Sequence, residues 1–158
     1  EALLKRLAAS ATQRPGTFYE GATVIGTAIS QRLGGRQQHL SIADGSGMSR
    51  ENRTTTQTLT KWLSSFRLDE PSGQSLLDSL AVPGEGTLDN RFKKVDLGNA
   101  TVHAKSGYLR GVCSLSGYVI FESGRKPIVF SIIVNDIKGT VKGAKKMQER
   151  IVELLSRS

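Results

Sequence analysis

Apolar residues recur at helical intervals at both ends of the chain and at every second position in a stretch between them. Leu3, Leu4, Leu7, Ala8 and Ala11 predict a helix over Glu1–Ala11, broken by Arg14-Pro15-Gly16. The pattern is already in stride at Glu1 with no capping residue before it, so the chain is expected to start inside a larger protein. Tyr19–Leu33 reads as a second helix, with Ala22, Ile25, Ile29 and Leu33 on one face and Gly34-Gly35 ending it. Leu40-Ser41-Ile42 is a short strand running into a tight loop at Asp44-Gly45-Ser46-Gly47. A third helix is expected over Thr54–Phe66, with Leu59, Trp62, Leu63 and Phe66 inward, and a shorter one over Ser75–Leu80. Val82-Pro83-Gly84-Glu85-Gly86 must be loop.

Alternation then takes over. Thr101–Lys105, Gly111–Glu122 and Lys126–Asn135 read as consecutive antiparallel strands, the last two joined at Ser123-Gly124. In the third, Ile128, Phe130, Ile132 and Val134 share one face while Val129 and Ile133 take the other. Being apolar on both faces, it is expected to be the central strand. Thr140–Arg157 closes the chain as an amphipathic helix, with Val141, Ala144, Gln148, Ile151 and Leu155 in line. Helices, a meander and a terminal helix give an α+β or α/β class, an antiparallel sheet packed between helices.

Composition narrows the functions available. The chain has 158 residues, enough for one core, and carries a net charge of +8. Its basic residues are spread along the sequence rather than clustered with aromatics, which argues against a nucleic-acid-binding domain. No apolar run reaches the roughly 18 residues of a membrane span. The single Cys113 excludes an internal disulfide and a cysteine metal site, and is expected in the core. With only His39 and His103, a histidine metal centre is not expected, and no cofactor is called for.

The candidate chemistry lies at Lys105-Ser106-Gly107, the end of the first predicted strand. Alternation puts His103, Lys105 and Gly107 on one face and Ser106 on the other. Lys105 offers a fixed positive charge for a substrate carboxylate or for tuning a neighbouring hydroxyl, and Gly107 allows close backbone approach. Taken alone, the tripeptide also fits a solvated lysine before a turn. A Ser46-His103-Asp44 triad can be written down, but no G-x-S-x-G elbow supports it. Asp44 and Ser46 are better read as organisers of their loop.

The surroundings change the weighting. The run Ala104-Lys105-Ser106-Gly107-Tyr108-Leu109-Arg110-Gly111-Val112, continuing to Leu115-Ser116-Gly117-Tyr118, strongly resembles the low-molecular-mass penicillin-binding proteins that are D-alanyl-D-alanine carboxypeptidases and endopeptidases. The segment from Asp44-Gly45-Ser46-Gly47 to Asn52 is similar to the same family's D-G-S-G-L-S-R-x-N. The resemblance covers nearly the whole chain. It implies the C-terminal part of the penicillin-recognising serine-enzyme fold over residues 1–158, with the N-terminal part of that domain elsewhere.

The roles that follow are implied by the resemblance. Lys105 and Ser106 would be catalytic. Gly107 and the Tyr108 backbone N–H would bind substrate and oxyanion, while His103, Asp44 and Ser46 would border the cleft. Tyr108 stands where the family usually has Ser or Thr, and its ring would narrow the cleft. Two family motifs, S-x-x-K and S-x-N, are not found in usable form. Ser123-Gly124-Arg125-Lys126 matches the first as a string but sits in a predicted turn, where no helix brings Lys beside Ser. The chain alone is therefore expected to be inactive and poorly stable. The parent would be a serine-type, extracytoplasmic enzyme. It would act on peptidoglycan stem peptides ending in D-Ala-D-Ala and be acylated by β-lactams. The competing reading is a non-catalytic binding or assembly fragment of the same fold.

Overall fold

The computed structural model describes residues 1–35 and 39–158. It divides into two compact units, Glu1–Ser65 and Phe66–Ser158. The first is built on α1 (Ala2–Thr12) and α2 (Phe18–Arg32). Leu4 and Ala8 of α1 are buried, whereas Leu3 and Leu7 stay exposed, so the apolar pattern is wider than the covered face. After the Pro15-Gly16 break, α2 begins with a capping box. The Thr17 hydroxyl accepts from Glu20 N at 3.1 Å, and Thr17 N donates back to the Glu20 carboxylate at 3.0 Å. The Thr17 hydroxyl, donating to the Glu20 carboxylate at 2.8 Å, and then the Thr17 N–H hold that carboxyl below its ordinary pKa.

The predicted strand is confirmed as β1 (Leu40–Ser41), and it has a partner the periodicity did not reveal. It pairs antiparallel with β2 (Arg53–Thr54), Leu40 opposite Thr54 and Ser41 opposite Arg53. Thr54 is thereby taken from the predicted helix. α3 (Thr56–Ser64) starts later, capped by the Thr55 hydroxyl, which accepts from Thr58 N at 3.1 Å. It also ends before Phe66.

The second unit opens with α4 (Pro71–Asp78), set four residues earlier than expected because Pro71 fits the first helical turn. Its sheet is β3 (Ala100–Leu109), β4 (Val112–Phe121) and β5 (Ile128–Val134), all antiparallel in the order β3-β4-β5. Two expectations are corrected here. β3 does not end at Lys105 but runs straight through Lys-Ser-Gly, with Gly107 opposite Ser114 and Tyr108 opposite Cys113, and turns at Arg110-Gly111. The central strand is β4, not β5. Cys113, Leu115, Tyr118 and Val119 of β4 are essentially inaccessible, while most of β5 is half-buried. Among the described residues β5 has no second neighbour, so its outer edge is bare.

One face of the sheet carries the core. Val102, Ala104, Leu115, Val119 and Phe130 pack with Leu88, Phe92 and Val152, the last from α5 (Lys142–Ser156). Gln148 of α5 is buried with them. It accepts from Arg91 Nη2 at 3.1 Å and donates towards the Cys113 carbonyl at 3.4 Å. Beside it the buried Arg91 guanidinium pairs with Glu149. Polar bonds thus clip α5 to both β4 and the loop before β3. Cys113 is a core residue, as its alternation with Leu115 and Val119 predicts.

Candidate active site

The outer edge of β3 is the candidate site, and its geometry follows from one bond. Ala104 N donates to Ala81 O at 2.9 Å, an isolated bridge on the side away from β4. In an antiparallel ladder a residue's N–H and C=O point to the same side, and that side alternates along the strand. Ser106 and Tyr108 therefore present their backbone groups outward too. Beyond the Ala81 bridge, no strand of the described residues covers them. The Lys105 ammonium folds onto this edge, donating to Ser106 O at 2.6 Å. The Ser106 hydroxyl points to the core side and donates to Thr87 O at 3.3 Å. Alternation holds through the segment: Val102 and Ala104 are fully buried, His103 is half-buried and Lys105 exposed.

The edge from Lys105 to Tyr108 thus offers an ammonium, a carbonyl and an amide N–H within four residues. The Tyr108 side chain is 58% exposed at its end. A side chain at Gly107 would meet Ser114 Oγ at 2.5 Å, so part of the need for glycine comes from the neighbouring strand. His103 lies opposite Tyr118, and its Nδ1 is buried with no hydrogen-bond partner among the described residues.

Asp44 and Ser46 belong to the first unit and serve their own loop. The Asp44 carboxylate accepts from Asn52 Nδ2 at 2.7 Å, Ser46 Oγ at 2.9 Å, Gly47 N at 2.9 Å and Ser49 N at 2.8 Å. The Asn52 side-chain bond leads these in lowering its pKa to about 2. Asn52 Oδ1 in turn accepts from Ala43 N at 2.8 Å. This carboxylate is a structural hub, and the Asn52 link is the part of the loop that residue-type reasoning on Asp44 and Ser46 missed. The segment Ser123–Lys126 lies at the β4–β5 turn, with Gly124 at φ 73°. It sets no helical pairing of Ser with Lys. Among the described residues no cluster of His, Cys, Asp and Glu has a metal-binding arrangement.

The fold and the strand-borne Lys-Ser-Gly define a penicillin-binding-protein type of chain. A crystal structure of penicillin binding protein 4 from Haemophilus influenzae, complexed with a β-lactam, shares the fold. Its TM-score is 0.79 and its identity 23%, covering 98% of this chain and 37% of that one. The model of the D-Ala-D-Ala carboxypeptidase 3 (S13) family matches residues 1–158, and the chain belongs to that family. Among its relatives, the carboxypeptidase DacB of Mycolicibacterium smegmatis is 34% identical over 148 residues, covering 89% of this chain and 31% of that protein. The D-alanyl-D-alanine carboxypeptidase of Actinomadura sp. (strain R39) is 36% identical over 134 residues, covering 81% and 24%. The chain therefore spans about a third or less of the length of these relatives.

Proposed function

We propose that this chain forms one wall of a serine-type D-Ala-D-Ala carboxypeptidase or endopeptidase that acts on peptidoglycan stem peptides and is acylated by β-lactams. The observation that carries the reading is the outer edge of β3, which no strand of the described residues covers, where the Lys105 ammonium donates to Ser106 O and alternation turns the Tyr108 N–H outward. An extended peptide laid along that edge gains main-chain hydrogen bonds from Ser106 and Tyr108. Its terminal carboxylate is drawn by Lys105. The nucleophilic serine comes from polypeptide outside these residues, and the chain alone is inactive.

The reaction has two steps. The serine oxygen attacks the penultimate D-Ala carbonyl carbon, and the oxygen that gains charge takes a hydrogen bond from Tyr108 N–H. The carbon–nitrogen bond then breaks, D-Ala leaves with a proton, and an acyl-enzyme remains for water to hydrolyse. Lys105 stabilises the developing negative charge and positions the carboxylate. A β-lactam follows the same first step and stops there. Substrate of this kind places the enzyme outside the cytoplasm.

In the complete protein, Lys105→Ala is expected to slow penicillin acylation on the order of a hundredfold or more, read by intact mass against time. Acylation at the wild-type rate would remove Lys105 from the site. A complete protein that never gains a penicillin-sized mass would remove the peptidase reading itself.

A further inference from the structure

One hollow on the second unit does not include Lys105 in its lining. It measures about 610 Å³ and lies between the Gly86–Arg91 segment and the start of α5. It continues into a second hollow of about 390 Å³, sharing Asn90, Lys146 and Glu149. Lys142, Lys145 and Lys146 line the first, Lys93 and Lys94 the second. Three carboxylates line the two hollows, and Asp89 accepts from Asn90 Nδ2 at 2.8 Å with no lysine within ion-pair distance. Glu149 is held by Arg91, and Glu153 by Arg150 and Arg157. Among the described residues none of these five lysines has a carboxylate within ion-pair distance. The result is a continuous basic channel with unspent charge.

We propose that this channel binds a linear polyanion without aromatic bases, of the polyol-phosphate or polyphosphate class. Its shape favours a chain over a flat surface, because the lysines follow one another along it, Lys142, Lys145 and Lys146 from α5 and then Lys93 and Lys94 from the segment before β3. Its lining contains no aromatic side chain, so it lacks the stacking platforms by which single-stranded nucleic acids are held. Lys142 and Lys146 are about one helical turn apart, which lets one strand of regularly spaced anions meet successive lysines. Release of counterions drives such binding and makes it fall steeply with salt. The hollow borders β3 at Thr87, whose carbonyl accepts from the Ser106 hydroxyl, but none of its lysines takes part in the peptidase reading, so this inference does not rest on it.

The test measures binding of the complete protein to fluorescently labelled linear inorganic polyphosphate at several salt concentrations. Lys142→Glu/Lys145→Glu/Lys146→Glu is expected to weaken binding at least tenfold and flatten the salt dependence. The milder Lys→Gln triple should shift both in the same direction if the reversal variant fails to fold. Arg6→Glu/Lys61→Glu/Lys126→Glu makes the same change in net charge away from the channel and should bind nearly as wild type. Penicillin acylation should be unchanged in all three. Equal weakening by the remote variant would reduce the effect to net charge and overturn the proposal. So would unaltered binding by both channel variants. Tighter channel-dependent binding of single-stranded DNA or of phosphatidylglycerol vesicles would overturn the choice of partner.

Discussion

Two glycines on facing strands show how differently one residue type can be constrained. A Cβ at Gly117 would lie 2.0 Å from the His103 carbonyl oxygen and 2.6 Å from Ala104 Cα, both backbone atoms of β3. Nothing there can rotate aside, so Gly117→Ala is expected to cost about 3 kcal/mol by urea unfolding. At Gly107 the obstacle is only the Ser114 hydroxyl, which can change rotamer. Gly107→Ala should cost less than about 1 kcal/mol, yet slow β-lactam acylation in the complete protein. Equal stability losses at the two positions would refute the distinction. Asp44 supplies the residue-scale pH dependence. Its folded pKa, about 2, lies below the ordinary carboxylate value, so its contribution is complete above the unfolded pKa of about 4. That contribution fades as pH falls from there through about 2. A carbon-detected titration should find its carboxyl midpoint near 2, and a midpoint near 4 would mean that the loop bonds do not persist in solution.

At the scale of elements, the long helices were legible in the sequence to within two residues at either end. Their periodicity is set by the same faces that pack. The errors fell where a local pattern served a non-local partner. Thr54 reads as helical but is claimed by Leu40, and Lys-Ser-Gly reads as a strand end because of its glycine but is kept in register by β4. Gln148 reads as an inward residue of the last helix, but its bond to Arg91 depends on a loop that no periodicity describes. Arg91 and Glu149 are the strongest polar tie between that loop and α5, with side chains only 8% and 17% exposed. Removing one partner strands a buried charge. Arg91→Met is therefore expected to destabilise the protein by about 3 kcal/mol and to lower hydrogen-exchange protection along α5. A change under about 1 kcal/mol would show that water takes over the role of Arg91.

For the whole molecule, the candidate site was half legible. The string from Ala104 to Tyr118 marked its residues, but the direction of their amides required the single bridge from Ala81, which leaves no trace in composition or spacing. The assignment of β5 to the centre of the sheet failed for a related reason. Apolar residues on both faces state what a strand can bury, not which neighbours it has. The consequence is felt when these residues are handled by themselves. Ile128–Val134 contains neither charge nor proline, and among the described residues no strand pairs with its outer edge. Such an edge is a template for its own kind. Solutions of the isolated chain are expected to develop thioflavin-positive fibrils after a lag that added seeds abolish. Ile133→Lys should lengthen that lag, and its persistence unchanged would exonerate β5. Storage life would then be governed by nucleation, and filtration would preserve the sample better than cooling.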